Sequence, residues 1–157
     1  MGKLIILDDV FDDATRSAIA AFEYGEDEQW YDVGASPLHE KIVDICREHF
    51  DLRSVIGYEM WRNATNPGWH VDKDEKLFHT TERLDFPLCS AVYYATIEQL
   101  VGGEFYTDDM RCLPRANRLI MFSPGVYHGV SPFVGTRIAV SLNPWGRKVE
   151  RLGPIGA

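Results

Sequence analysis

Long apolar runs and any surplus of positive charge are missing from this chain. No stretch approaches the roughly 20 apolar residues that a membrane-spanning helix needs. Residues 1–10 set Lys3 before a few apolar positions and then Asp8 and Asp9, which is not a signal-peptide core. A formal net charge of -8 argues against a general binder of phosphate backbones, because such affinity comes from Lys and Arg releasing counterions. Arg147, Lys148 and Arg151 form a short basic run, expected to be a solvated tail. Cysteine is scarce: Cys46, Cys89 and Cys112 are odd in number and irregular in spacing, which fits neither a disulfide framework nor a CxxC zinc site. They read as buried or incidental thiols in a reducing, cytoplasmic setting, with neither a membrane nor a nucleic acid as partner. Repeats, low-complexity tracts and linkers are also absent.

What remains is ordinary globular material. With 45% hydrophobic and 25% charged residues, 157 residues can bury a core as a single domain without disulfides. Lys3 to Leu7 suits an opening strand, and Asp12 or Asp13 caps a helix that runs to about Phe22 with Ile19 on its apolar face. The acidic segment Tyr24 to Trp30 reads as a loop. Ser36-Pro37 reads as an N-cap followed by proline in the first helical turn, with Leu38, Ile42, Ile45 and Cys46 as the buried stripe.

From Val55 onward, short apolar or alternating segments are separated by turn signals. Strands are expected near Val55 to Arg62, Trp69 to Asp72, Leu88 to Thr96, Gly103 to Asp108, Arg118 to Phe122 and Arg137 to Asn143. The turns between them fall at Asn66-Pro67-Gly68, Gly102-Gly103, Ser123-Pro124-Gly125 and Ser131-Pro132. Helices followed by many strands indicate an α+β chain with a sandwich or jelly roll as its strand part. Helical support occupies about residues 1–54 and the strand core about residues 55–146. Lys73 to Pro87 is a long polar connection, either a lid that closes over a substrate with Phe78 and His79 or a solvated loop.

Two His-x-Asp pairs occur, at His49-Phe50-Asp51 and His70-Val71-Asp72. Residues two apart share a face on a strand and diverge on a helix, so His70 and Asp72 can converge on one ion. His49 falls at a helix end, where an exposed histidine interacts favourably with the C-terminal dipole. His128, after the Pro124-Gly125 turn, is the candidate third ligand; its bland alternative is a core histidine bonded to a backbone carbonyl. Two imidazoles and one carboxylate on one face of an octahedral metal leave the other positions open, the facial triad of non-haem Fe(II) oxygenases. Arg137 opens an apolar strand, and a buried arginine needs a carboxylate. That partner is either an internal acid or a dicarboxylate co-substrate held in a bidentate fork. Ser141, four residues on, lies on the same strand face.

These residues belong to an ordered set: Trp69-His70-Val71-Asp72, Val92-Tyr93-Tyr94, Gly102-Gly103-Glu104-Phe105, Asn117-Arg118-Leu119-Ile120-Met121-Phe122, Tyr127-His128-Gly129-Val130 and Thr136-Arg137-Ile138-Ala139-Val140-Ser141. In order and spacing the set resembles the prolyl 4-hydroxylase-like branch of the Fe(II)/2-oxoglutarate-dependent oxygenases, over about residues 58–145. The resemblance implies a double-stranded β-helix (jelly-roll) barrel supported by N-terminal helices. It also implies that His70, Asp72 and His128 ligate Fe(II), and that Arg137 and Ser141 bind the distal carboxylate of 2-oxoglutarate. Tyr94 would add its phenol to that carboxylate, and Phe105 an apolar wall.

By the same resemblance O2 is a co-substrate, ascorbate a supporting reductant, and the substrate a prolyl residue in a peptide or protein. Free proline or another small molecule is the second reading, and a non-catalytic cupin-like metal-binding module the third. Because Asp72 keeps the carboxylate that related halogenases lack, hydroxylation is expected. No second arginine follows Arg137 up to Trp145, which with the acidic charge disfavours a nucleic-acid demethylase. One departure concerns the tyrosine that family members often carry nine or ten residues before the first iron histidine. Met60 and Trp61 stand there, and Tyr58, on the strand face of Met60, is the candidate substitute in the co-substrate pocket.

Overall fold

Among the described residues, nine strands and three helices follow one another as β1 (Leu4–Leu7), α1 (Asp13–Ala21), β2 (Gln29–Asp32), α2 (Pro37–His49), β3 (Gly57–Arg62), α3 (Glu75–Thr81), β4 (Ser90–Gly102), β5 (Phe105–Tyr106), β6 (Arg111–Cys112), β7 (Arg118–Phe122), β8 (Gly129–Val130) and β9 (Phe133–Trp145). The computed structural model describes residues 2–25, 27–65 and 68–151. Every strand pairing is antiparallel. A six-stranded sheet has the order β1-β7-β4-β9-β3-β2, and a three-stranded sheet the order β6-β5-β8. The α+β class therefore holds.

Period-two alternation gives the large sheet two different faces. Tyr58, Met60, Ala91, Tyr93, Leu119, Met121, Val140 and Leu142 point toward the helices, where they meet Ile19 of α1 and Ile42, Val43 and Cys46 of α2. Val92, Tyr94, Ile120, Phe122 and Ala139 point the other way and meet Phe105 and Cys112 of the small sheet. The space between the two sheets holds the candidate site.

Local chemistry accounts for most of the boundaries. Asp12 is the α1 cap, its Oδ1 accepting from the Thr15 N–H at 2.8 Å. Ser36 holds the N-cap position of α2 without capping it, because its hydroxyl is taken by His39 Nδ1 at 2.7 Å. The Gly102-Gly103 turn has φ of +84° and +75°, and a side chain at Gly102 would collide with the Pro132 carbonyl. Cys46, Cys89 and Cys112 are buried free thiols. No helix among the described residues is long and apolar enough to cross a membrane.

Several expectations need correction. The segment Tyr24 to Trp30 is not all loop: from Gln29 it enters β2, which pairs with β3 at the sheet edge. Trp69 to Asp72 is not a regular strand but a single bridge, His70 opposite His128. Strands β6 and β8, two residues each, are too short to leave a period in the sequence. Residues 73–87 are not a structureless loop, since Asp74 caps α3 by accepting from the Leu77 N–H at 2.9 Å. The basic C-terminal run is not a free tail: Arg147 Nη2 lies 2.7 Å from Asp74 and 2.6 Å from Asp85, stapling the base of that segment, and Arg151 pairs with Asp27. Of the proposed Asn66-Pro67-Gly68 turn, residues 66 and 67 lie outside the described residues.

Candidate metal and co-substrate site

His70 and His128 exchange backbone hydrogen bonds, N–H to C=O at 2.9 Å in both directions, which locks their segments side by side. Outside this bridge, Trp69 stacks between Tyr106 and Tyr127 at 5.9 and 6.0 Å, clamping the same two segments. The imidazoles lie 4.3 Å apart between centroids, and Asp72 Oδ1 is 3.4 Å from His70 Nε2 and 3.5 Å from His128 Nε2. All three candidate ligand atoms fall within 4.8 Å of one another.

The second nitrogen of each ring fixes its tautomer. His70 Nδ1 donates to the Gly68 carbonyl at 2.7 Å and His128 Nδ1 to the Val126 carbonyl at 2.9 Å, because a carbonyl can only accept. Each Nε2 thereby keeps its lone pair for the shared space, as in metal-ligating histidines whose other nitrogen is held by an outer partner. Burial works to raise the Asp72 carboxyl, but His128 and His70, which donate to it from Nε2 when that nitrogen carries a proton in place of a metal, outweigh burial and hold it well below the usual carboxylate range. Phe105 and Phe122 pack on the His128 ring at 5.4 and 4.6 Å and keep that side apolar. Two imidazoles and one carboxylate on one side of a common point are a donor set that suits a divalent first-row metal with positions left open.

Arg137 is 4% exposed on the cavity-facing side of β9 and forms no ion pair with an acid among the described residues. Its Nη1 donates to the Asn63 carbonyl at 2.7 Å, while Nε and Nη2 have no hydrogen-bond partner. Burial pulls the guanidinium below its ordinary value, and Tyr94 opposes that pull. Tyr94 lies beneath it, ring centroid 5.6 Å from the guanidinium carbon, with an unpartnered hydroxyl pushed up to about 12 by burial. Unpartnered buried donors are costly in a native fold, so their concentration here points to a bound acceptor with at least two oxygens.

A cavity of about 780 Å³ includes His70, Asp72, His128, Tyr94, Phe105 and Ser141 in its lining. Ser141 shares the β9 face of Arg137 and accepts from Asn63 Nδ2 at 3.4 Å. Tyr58 is not there. It sits in the helix-facing cluster, stacked on Tyr31 at 5.7 Å, because β3 alternates and its cavity side is occupied by Glu59 and Trp61. Phe78 and His79 do not line the cavity either; from their segment only Lys73, Asp74 and Glu75 do. Sequence reasoning overlooked Glu59, Asn63 and Asn143, and at the place of the usual pocket tyrosine it favoured Tyr58 over Trp61, which is the residue that lines the cavity. Extending the period of two from Ser141 would have found Asn143, but the roles of the other three depend on β3 lying beside β9.

No family model and no curated protein matches this chain. Solved structures do. A viral collagen prolyl hydroxylase from Paramecium Bursaria Chlorella virus-1, in complex with 2-oxoglutarate, superposes with a TM-score of 0.62 at 13% identity, over 90% of this chain and 93% of that one. A prolyl-4-hydroxylase from Pseudomonas putida gives 0.60 at 18% identity, over 92% and 93%. An oxidoreductase of the 2OG-Fe(II) oxygenase family from Burkholderia pseudomallei gives 0.57 at 16% identity, over 93% and 86%. At these identities the likeness establishes the fold: this chain has that of the prolyl-4-hydroxylase-like 2-oxoglutarate/Fe(II) oxygenases.

Proposed function

We propose that this chain is a non-haem Fe(II)/2-oxoglutarate-dependent dioxygenase that hydroxylates a C–H bond, acting as one domain with its core a double-stranded β-helix. The observation that carries the reading is a pairing within one fold. A His70, Asp72 and His128 donor cluster stands on the same sheet sandwich as a buried Arg137 that has no acid partner among the described residues. Fold likeness alone does not imply function, and the argument rests on these four side chains.

His70 and His128 would hold Fe(II) through Nε2 and Asp72 through its carboxylate. With the metal, 2-oxoglutarate and O2 bound, the group supplies oxidative decarboxylation to succinate and CO2, coupled to transfer of one oxygen to the substrate C–H bond. Arg137 clasps the distal carboxylate, using the Nε and Nη2 donors that face no protein acceptor. Tyr94 and Ser141 add hydroxyls to it, and the Asn63 carbonyl fixes the fork by accepting from Nη1. Phe105, Val92 and Val130 line the same space and exclude water from it. Ascorbate serves as a supporting reductant in assays. The fold neighbours named for prolyl hydroxylation support a prolyl residue of a peptide as substrate, with free proline or another small molecule as the second reading.

The test is succinate release with Fe(II), ascorbate and a panel of prolyl peptides and free amino acids, with mass spectrometry for the gain of one oxygen. His70→Ala should abolish both metal binding and turnover. A chain that binds metal but yields no 2-oxoglutarate-dependent succinate with any substrate is the cupin-like module instead.

A further inference from the structure

Two cross-strand pairs face the cavity from β3 and β9: Glu59 opposite Asn143, and Trp61 opposite Ser141. Ser141 belongs to the Arg137 end. The Glu59 end has the opposite character. Of the other acids around the cavity, Asp27 is paired with Arg151, Asp74 with Arg147, Glu75 with Lys73 and Glu150 with Lys76, while half-buried Glu28 has no ion pair among the described residues and adds to the negative charge around Glu59. Asp72 faces its two histidines. Glu59 has no cationic partner among the described residues. Its Oε1 accepts from Trp145 Nε1 at 2.9 Å, a neutral donor.

Asn143 is the independent observation. It is 3% exposed, lines the cavity, and its Oδ1 has no hydrogen-bond partner among the described residues. A buried acceptor left open beside an unpaired carboxylate calls for a donor, and a donor that satisfies both is a cation with more than one N–H. Trp61, two residues from Glu59 on the same strand face, offers an aromatic surface of the kind that flanks cations. Burial, together with the charges of Glu28, Asp72 and Asp74, pushes the Glu59 carboxyl up to about 7, so near neutral pH the group is partly protonated and an arriving cation takes the place of that proton. A neutral prolyl amide inside a peptide offers none of this, since its nitrogen carries neither charge nor N–H.

We propose that Glu59 and Asn143 form the subsite for a protonated amine of the substrate, flanked by Trp61, so that the enzyme takes a free amino acid or related small amine rather than an internal prolyl residue. This rests on the hydroxylase reading and selects between its two substrate classes. Arg137, buried behind the Tyr94 and Asn63 lining, thus marks a cationic side for the co-substrate, and Glu59 an anionic side for the substrate. The cavity volume is within the range of about 300–1,000 Å³ usual for small-molecule sites.

The experiment is calorimetric titration of the Mn(II)- and 2-oxoglutarate-loaded protein, which does not turn over. The probes are L-proline, L-leucine and L-lysine, each against its fully N-acetylated form, and a prolyl tripeptide blocked at both ends. At least one free amine should bind about tenfold or more tighter than its acetylated form. Glu59→Gln, which keeps an acceptor for Trp145, should remove that preference while 2-oxoglutarate affinity stays as in the parent. Equal binding within every pair, binding by the blocked peptide alone, a preference that survives Glu59→Gln, or no binding by any free amine overturns the subsite. Failure of 2-oxoglutarate itself to bind the Mn(II) protein would sink the hydroxylase reading and the subsite with it.

Discussion

Tyr93 and Tyr94 are neighbours on β4 and meet opposite fates. Tyr93 turns toward the helices and donates to Asn117 Oδ1 at 2.6 Å, and Asn117 in turn bonds both backbone groups of Phe11. Tyr94 turns into the cavity, where its hydroxyl has no hydrogen-bond partner among the described residues. The contrast extends across the sheet. On the helix side, buried His39 is held by Ser36 at 2.7 Å and by Tyr24 at 2.8 Å, and the Tyr24 hydroxyl donates a hydrogen bond to the Ile19 carbonyl. The exceptions there are Tyr58 Oη and Glu40 Oε2, a donor and an acceptor within each other's field. On the cavity side, Arg137, Tyr94 and Asn143 all keep open hydrogen-bonding atoms. One face has satisfied most of its polar groups, and the other leaves a cluster of them open.

The largest effect expected from this contrast is at Arg137. Arg137→Met should lower 2-oxoglutarate affinity on the order of 100-fold, as loss of a buried charge-assisted contact does, while metal binding persists. The thermal midpoint of the ligand-free protein should not fall, because an unpaired buried charge has been removed. A lower midpoint in melting experiments would reveal a protein partner for Arg137 and erase the difference between the faces.

A smaller effect belongs to the helix side. Burial pushes His39 down to about 4, below the 6.5 of an unfolded chain, so the unfolded state takes up the proton first. Its contribution is intact above pH 6.5 and is lost as the pH falls toward 4, roughly 2 kcal/mol of it by pH 5. Urea unfolding at a series of pH values should show that slope, and His39→Gln should flatten it.

The smallest effects separate the two tyrosines. Tyr93→Phe should cost about 1 kcal/mol of stability and leave 2-oxoglutarate affinity alone. Tyr94→Phe should change stability by less than about 0.5 kcal/mol yet weaken 2-oxoglutarate by about three- to tenfold, measured by the same denaturation and calorimetry. Equal stability losses in the two variants would mean that Tyr94 has a protein partner.

The spacing of residues along the chain determined a good deal unaided. His70 with Asp72, His128 after its Pro-Gly turn, Arg137 with Ser141, and the strand Arg118–Phe122 were all legible, because period-two alternation and turn residues are local properties. Local signals ran out where a neighbour decides the outcome. Edge strand β2 exists because β3 lies beside it, the two-residue β6 and β8 exist because β5 pairs with both, and α3 follows from a cap at Asp74 that Arg147 anchors from 73 residues away. Tyr58 shows the same limit most sharply. Its strand was read correctly, but only the packing of α1 and α2 on one side of the sheet decides which side is core and which is cavity, and that assigns Tyr58 to the core and Glu59 to the site. A strand's alternation separates two faces; which of them binds a ligand depends on what the rest of the chain brings to cover each.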